Sequence, residues 1–175
     1  MSDASPAKMM VLVEENTACV KISGRANFGS SIDFKTLVHE LHQNGCGNFV
    51  IDLSDCALMD STFLGVLAGF ALKMSGTNGD KAKGHVELLN PNSRITDLLE
   101  SLGVLHLFRV RKGALTMNQS RAATAAAGQP SREAVTRTCL EAHETLMAIN
   151  PENVARFKDV TRFMAEDLKK MKAGS

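Results

Sequence analysis

Short apolar runs alternate with amphipathic stretches along the first part of the chain. Two β-type runs, residues 9–14 and 18–23, flank a short turn and predict a hairpin. Residues 48–53 are almost continuously apolar, which is typical of a strand covered on both faces. Two more strands are predicted at residues 85–89 and 105–110.

Apolar residues recur every three or four positions between these strands, which predicts three helices. The first covers residues 30–44, the second covers residues 61–75, and the third begins at residue 92 or 93 and ends before Gly103. Strands that alternate with helices pair in parallel through right-handed crossovers. The pattern therefore predicts an α/β fold, with a mostly parallel sheet, an antiparallel edge hairpin and helices covering the sheet.

The pattern changes after residue 112, which ends the predicted α/β domain (residues 9–112). Residues 113–130 are rich in Ala, Ser and Thr and are predicted to be a linker. Residues 131–172 predict a C-terminal helical hairpin, and its second helix carries an apolar seam: Phe157, Val160, Met164 and Leu168. Two helices cannot bury this seam by themselves, so the hairpin packs either on the first domain or on another chain.

Composition narrows the classes of partner. The chain has 175 residues, with 20 Lys and Arg against 19 Asp and Glu, so its net charge of +1 gives no footprint for nucleic acid or an anionic membrane. The eight aromatic residues are all Phe, which disfavours base or sugar stacking. No apolar run is long enough for a membrane span, and the N-terminal run is too short for a signal peptide. We expect a soluble, cytoplasmic protein that binds neither nucleic acid nor membranes.

The sequence offers little for catalysis or metal binding. Its four cysteines are spread singly, without the paired spacing of a zinc site or a redox dithiol. There is no nucleophile elbow and no phosphate-binding loop, and no carboxylate is placed to assist His85 or His106. We therefore expect no metal, no cofactor and no enzymatic activity.

One segment carries candidate chemistry, Asp60-Ser61-Thr62-Phe63-Leu64-Gly65, between the buried strand and the second helix. A hydroxyl at a helix N-terminus lies where free N–H groups and the helix dipole favour negative charge. A phosphate on Ser61 would add a charge of roughly −1.5 to −2 and act as a switch for a docked partner. The structural alternative is that Ser61 is only an N-cap, with Asp60 as a dipole-favouring neighbour.

With these residues in view, the chain resembles a STAS domain of the anti-sigma factor antagonist family from about residue 9 to residue 111. The resemblance rests on the order of the elements and on five short pieces of sequence: Gly24, Ile51-Asp52-Leu53, Met59-Asp60-Ser61-Thr62, Leu64-Gly65 and Leu102-Gly103-Val104. It implies a STAS-like sheet, to which the C-terminal helical hairpin is an addition outside the family pattern.

The resemblance also implies a function. In the family, a serine kinase that is also an anti-sigma factor phosphorylates the serine matching Ser61. The unphosphorylated domain binds that kinase and releases the sigma factor, and a phosphatase resets the switch. This chain would then be a non-enzymatic signalling switch in transcription regulation, with Ser61 as the phosphorylation site and Thr62 as the alternative acceptor.

Four residues are expected to bind the partner protein: Arg25, Asn27, Asp60 and Phe63. Two of them depart from the family, because Phe63 stands where Gly is common and Asn27 stands where Asp is frequent. The ring of Phe63 would either narrow access for the kinase or anchor the partner. A different hypothesis is a scaffolding or oligomerisation protein whose C-terminal helices mediate binding, including a homodimer through the seam.

Overall fold

A seven-stranded mixed sheet organises the described part of the chain. The computed structural model describes residues 7–75, 84–115 and 130–174, and the backbone of 123–124. The strands are β1 (Lys8–Glu14), β2 (Thr17–Ala26), β3 (Asn48–Asp52), β4 (Cys56–Met59), β5 (His85–Leu89), β6 (Arg109–Arg111) and β7 (Ala123–Thr124).

The sheet has the order β6-β5-β3-β2-β1-β7, and β4 pairs with the end of β2. β1 and β2 are antiparallel, with Val11 opposite Val20, and β7 adds a short antiparallel pairing to β1. The pairs β2–β3, β2–β4, β3–β5 and β5–β6 are parallel. The predicted fold class, a mostly parallel sheet opened by an antiparallel hairpin, is confirmed.

Five α-helices are described: α1 (Phe28–Gln43), α2 (Ser61–Ser75), α3 (Ser93–Ser101), α4 (Arg132–Ile149) and α5 (Glu152–Ala173). α2 has the predicted bounds, and Asn92 caps α3 by accepting a hydrogen bond from Ile95 N at 2.9 Å. The C-terminal helical hairpin is also present, with Ser131 capping α4. None of the described helices is both long enough and apolar enough to cross a membrane.

The structure departs from the sequence pattern in three places. β4 was not predicted, because four residues that pair only with the end of β2 are too few to show a period. The predicted last strand begins with a turn of 3-10 helix at Leu105–Leu107. β7 lies within the predicted linker; the rest of residues 116–129 lies outside the described part of the chain.

The main core lies between the sheet and the helices. Alternate residues of the central strands, such as Val20 and Ile51, are fully buried in it together with Leu64 and Leu67 of α2. Leu146 of α4 and Phe157 of α5 belong to the same cluster. The C-terminal hairpin therefore packs within its own chain, on the α/β domain.

Candidate functional site

Asp60 ties together the beginnings of two helices. It lies between the end of β4 and the start of α2, and its Oδ1 accepts a hydrogen bond from Phe63 N at 2.8 Å. Its Oδ2 accepts another from Phe28 N, at the start of α1, at 2.7 Å. The first bond is the usual N-cap bond, from the third residue of the helix to the cap side chain. Asp60 therefore caps α2, and the alternative in which Ser61 is the cap is wrong.

Asn27 has a similar structural role at α1. Its side chain accepts a hydrogen bond from Gly29 N at 3.0 Å, and Ser30 Oγ accepts one from Asn27 N at 3.2 Å. This reciprocal pair stabilises the start of α1. Ala26 O accepts a hydrogen bond from Asp60 N at 2.9 Å, which holds the end of β2 beside the start of α2. Asn27 and Asp60 thus meet at one end of the domain, and the half-buried Arg25 lies just before them in β2.

Phe63 is not at the surface. Its side chain is completely buried, and its ring centroid lies 4.9 Å from that of Phe34 on α1. The position faces the core, since its neighbour Leu64 and the next turn's Leu67 are also fully buried. The expectation that Phe63 contacts a partner is corrected, because a ring packed between α1 and α2 is out of a partner's reach.

Ser61 is half-buried, and its hydroxyl meets a residue that the sequence did not single out. Ser61 Oγ lies 2.9 Å from Nε2 of His143 on α4, and Nδ1 of the same ring lies 2.7 Å from the carbonyl oxygen of Cys139. A carbonyl oxygen only accepts, so Nδ1 carries the proton, and in the neutral ring Nε2 is then the acceptor. The Ser61 hydroxyl therefore donates to His143.

The contact is enclosed by the C-terminal hairpin. His143 is only 5% exposed, and its ring meets the Phe157 ring edge-on with centroids 4.8 Å apart. No local signal points to His143, because it lies 82 residues from Ser61 and follows no motif of its own. Only the packing of α4 on α2 brings the two side chains together.

Thr62, the alternative phosphate acceptor, is more deeply buried than Ser61. It is 5% exposed, and its Oγ1 donates to the Sγ of Cys139 at 3.6 Å. Burial raises the pKa of the Cys139 thiol, so the thiol is neutral and weakly nucleophilic in the folded chain. The same cause raises the pKa of Cys46 and Cys56, and it raises that of Cys19 to about 12.

α4 approaches α2 very closely one turn beyond Ser61. A Cβ added to Gly65 would lie 2.5 Å from the carbonyl oxygen of Ala142, so only glycine fits there. At the corner of the hairpin, the buried Asn153 side chain donates to Leu102 O at 2.9 Å and to Leu146 O at 2.8 Å. These contacts fix the hairpin on the domain.

The predicted apolar seam is partly buried inside the chain. Phe157 is buried against His143, and Met164 and Leu168 are half-buried. Val160 is the exception and is 41% exposed. The sequence left open whether the hairpin packs on the first domain or on another chain. In the structure, α4 packs on its own domain.

The Ser61–His143 pair is poorly arranged for acyl transfer. Such chemistry needs free N–H donors beside the nucleophile to stabilise an oxyanion. Here the N–H of Phe63 is bonded to the Asp60 carboxylate, which also places a negative charge next to Ser61. Within residues 7–75, 84–115 and 130–174, no three His, Cys, Asp or Glu side chains are grouped closely enough to hold a metal ion. The pair fits a positioning or regulatory contact better than a hydrolytic one.

We expect Asp60→Ala to lower the free energy of unfolding by about 2 kcal/mol, because an N-cap substitution costs about 1 kcal/mol and Asp60 accepts from two helix starts. Asp60→Asn keeps one acceptor oxygen and is the matched control, with a smaller expected loss. Urea denaturation of both variants measures the difference. Equal midpoints for the two variants would show that the hydrogen bond which asparagine retains adds nothing to stability.

Comparison with known proteins agrees with this fold. A family model of the STAS domain matches residues 8–118, which is more than half of the chain. No curated protein matches the chain. The family match ends before α4, so the C-terminal hairpin lies outside it.

Among the solved structures similar to the chain are three anti-sigma factor antagonists. A Thermotoga maritima protein described as an anti-sigma factor antagonist is 18% identical, with a TM-score of 0.52 over 59% of this chain and 85% of that one. The anti-sigma factor antagonist SpoIIAA in its unphosphorylated form is 15% identical, with a TM-score of 0.51 over 63% and 90%. An anti-sigma factor antagonist from Mycobacterium paratuberculosis is 17% identical, with a TM-score of 0.53 over 63% and 88%.

At these identities the structures support the fold, and the family model supports membership. The mixed sheet, in which parallel pairings follow an antiparallel hairpin, agrees with both comparisons. The chain therefore belongs to the STAS domain family.

Proposed function

We propose that this chain is a non-enzymatic signalling switch of the anti-sigma factor antagonist type, which binds a serine kinase that is also an anti-sigma factor. Phosphorylation at Ser61 regulates that contact. The observation that carries the proposal is the position of the Ser61 hydroxyl, half-buried at the first residue of α2 in the segment that resembles the family's phosphorylation site. Such a kinase uses ATP, which places the switch in the cytoplasm.

The partner surface is proposed at the end of the domain where two helices and a strand meet. Arg25, Asn27 and Asp60 lie there beside Ser61, on elements joined by the Ala26–Asp60 and Phe28–Asp60 hydrogen bonds. Phe63 is not included because its ring is in the core. A phosphate beside the Asp60 carboxylate would weaken partner binding through like-charge repulsion and desolvation.

Ser61 is favoured over Thr62 as the acceptor because Thr62 is almost fully buried and donates to Cys139. The family scheme further implies a phosphatase that removes the phosphate. The scaffolding hypothesis is less favoured, since Phe157, the largest side chain of the seam it relies on, is packed within the chain against His143. We therefore do not propose a homodimer through the hairpin.

The proposal is tested by capture of binding proteins from a lysate of the native cells. Wild type, Ser61→Asp and the uncharged, equally sized Ser61→Asn serve as baits, and bound proteins are identified by mass spectrometry. A protein kinase should bind wild type and Ser61→Asn and be reduced at least tenfold on Ser61→Asp. The captured kinase, incubated with wild type and ATP, should add one phosphate at Ser61.

Two results would contradict the proposal. One is a set of partners that all three baits retain equally, which would remove any role for charge at Ser61. The other is a captured kinase that leaves both Ser61 and Thr62 unmodified when ATP is supplied.

A further inference from the structure

The hydroxyl of Ser61 is occupied in the folded chain by a residue from outside the family domain. We propose that the C-terminal hairpin, α4 with α5, competes with the partner protein for the face of α2 around Ser61, and that negative charge on Ser61 releases it. The hairpin is called docked when α4 lies on α2 as in this structure, and released when α4 has moved away from α2. The inference rests on the proposed function for the partner, and on the α4 contacts for the release.

The docked hairpin uses the hydrogen atom that phosphorylation removes. Ser61 Oγ donates that hydrogen to Nε2 of His143, whose other nitrogen donates to Cys139 O. A phosphoryl group replaces the hydrogen and presents only acceptor oxygens to Nε2, which is itself an acceptor in this tautomer. In the docked state every buried side-chain polar atom in the described part of the chain has a hydrogen-bond partner. After phosphorylation, Nε2 of His143 would lose its partner.

The docked hairpin leaves little room beside the Ser61 hydroxyl, which is half-buried and donates to His143. Cys139 contacts Thr62 directly beside Ser61, and Ala142 lies so close to Gly65 that a single methyl group would overlap with its backbone. A close contact between two backbones cannot be relieved by turning a side chain. α4 therefore cannot yield locally at Ser61, and accommodating a phosphate requires it to move away from α2.

Repulsion between a phosphate on Ser61 and the Asp60 carboxylate also favours release of the hairpin. Both oxygens of the Asp60 carboxylate are held by backbone N–H groups, so this charge cannot turn away from a phosphate on the next residue. The N–H of Phe63, which would otherwise help to bind an anion at the helix start, is one of those donors. The phosphate is then better placed in water than under α4, which favours the released hairpin.

The hairpin covers the Ser61 hydroxyl, which a partner kinase needs to reach. His143 lies against Ser61 and is itself packed by Phe157, and the STAS family match ends at residue 118, before α4 begins. A kinase must place the Ser61 hydroxyl in its own active site, which it cannot do while that hydroxyl is bonded to His143 under the hairpin. Partner binding and hairpin docking thus exclude each other.

Labelling of Cys139 in the full chain measures release without any kinase. Cys139 is 8% exposed on the side of α4 that contacts Thr62 of α2 in the docked hairpin, whereas Cys19 and Cys56 lie within the α/β domain. We expect N-ethylmaleimide to modify Cys139 at least tenfold faster in Ser61→Asp than in Ser61→Asn, with Cys19 and Cys56 unchanged, as resolved by peptide mass spectrometry. Equal Cys139 rates in the two variants would overturn the proposal.

A reversible lock provides the second test, and it stays informative if Ser61→Asp unfolds and all cysteines react. A Cβ at Gly69 would lie 3.6 Å from Cγ2 of Thr145, one of the two positions that the sulfur of a cysteine at residue 145 can take, so a small adjustment allows a disulfide between α2 and α4 in Gly69→Cys/Thr145→Cys. We expect the oxidised protein to be phosphorylated by the captured kinase at least tenfold more slowly than the same protein after reduction. Thr145→Cys alone is the control and should not respond to reductant.

Equal phosphorylation rates for the oxidised and the reduced double variant would overturn the hairpin's role in access to Ser61. Failure of the kinase to modify even wild type would instead overturn the proposed function. In that case the Cys139 labelling rates still decide whether charge at Ser61 releases the hairpin.

Discussion

Truncating Phe63 to alanine is expected to lower the free energy of unfolding by about 3–5 kcal/mol, the range for removing a large buried aromatic side chain. The Phe63 ring is completely buried and packs against Phe34, so its loss leaves a cavity between α1 and α2. Neighbouring backbone is held by the Asp60 hydrogen bonds and cannot collapse freely into that cavity. Urea denaturation, followed by far-UV circular dichroism, measures the change.

The matched control is Phe163→Ala on α5. Phe163 is 58% exposed, and its ring is contacted by the Arg162 guanidinium 5.5 Å from the ring centroid. We expect a loss there of less than about 1 kcal/mol, as for a surface cation–π pair. If Phe63 were instead an anchor for the partner, Phe63→Ala would leave stability unchanged and weaken partner capture, and that result would contradict its placement in the core.

Replacing Gly65 with alanine is expected to destabilise the docked hairpin by at least about 2 kcal/mol, the middle of the range for inserting atoms into a packed core. The new Cβ would lie 2.5 Å from Ala142 O and 2.7 Å from Ala142 Cβ. Alanine is the better helix former by about 1 kcal/mol, which offsets part of the loss but does not remove the overlap. Cys139 labelling should accelerate together with the loss of stability.

Gly69→Ala, one turn further along α2, is the control, and the expected change in the free energy of unfolding has the opposite sign. Its Cβ would meet only the side chain of Thr145, at 3.6 Å, which is an ordinary contact. We expect Gly69→Ala to raise the free energy of unfolding by roughly 0.5–1 kcal/mol through helix propensity. An equal gain for Gly65→Ala would show that α4 does not approach α2 as closely as described.

Local periodicity was enough to predict most of the elements. α2 has the bounds that its apolar spacing indicates, and the β1–β2 hairpin and both C-terminal helices follow the same rules. These features depend on neighbours within a few positions, which a sequence displays directly. β4 and β7 were missed because their pairing partners are distant and their runs are only four and two residues long.

The segment around Ser61 illustrates a finer limit of prediction from sequence. Sequence alone placed Asp60 and Ser61 at the start of a helix and, in the structural alternative, gave the cap to Ser61, although either side chain can accept from the backbone there. The fold assigns it to Asp60, because β2 and α1 bring Phe28 N within 2.7 Å of the second carboxylate oxygen. Phe63 was likewise expected at the surface, and the packing of α1 across α2 places it in the core.

The order of strands and helices, the family and the candidate serine were all readable along the chain, because each is written in residues close together in sequence. The environment of that serine could not be read from the sequence. The bond between Ser61 and His143 joins residues 82 positions apart, and it exists because Gly65 lets α4 approach α2 closely enough for the two side chains to meet. Such a contact depends on how two amphipathic surfaces pack, and periodicity shows only that each surface is apolar.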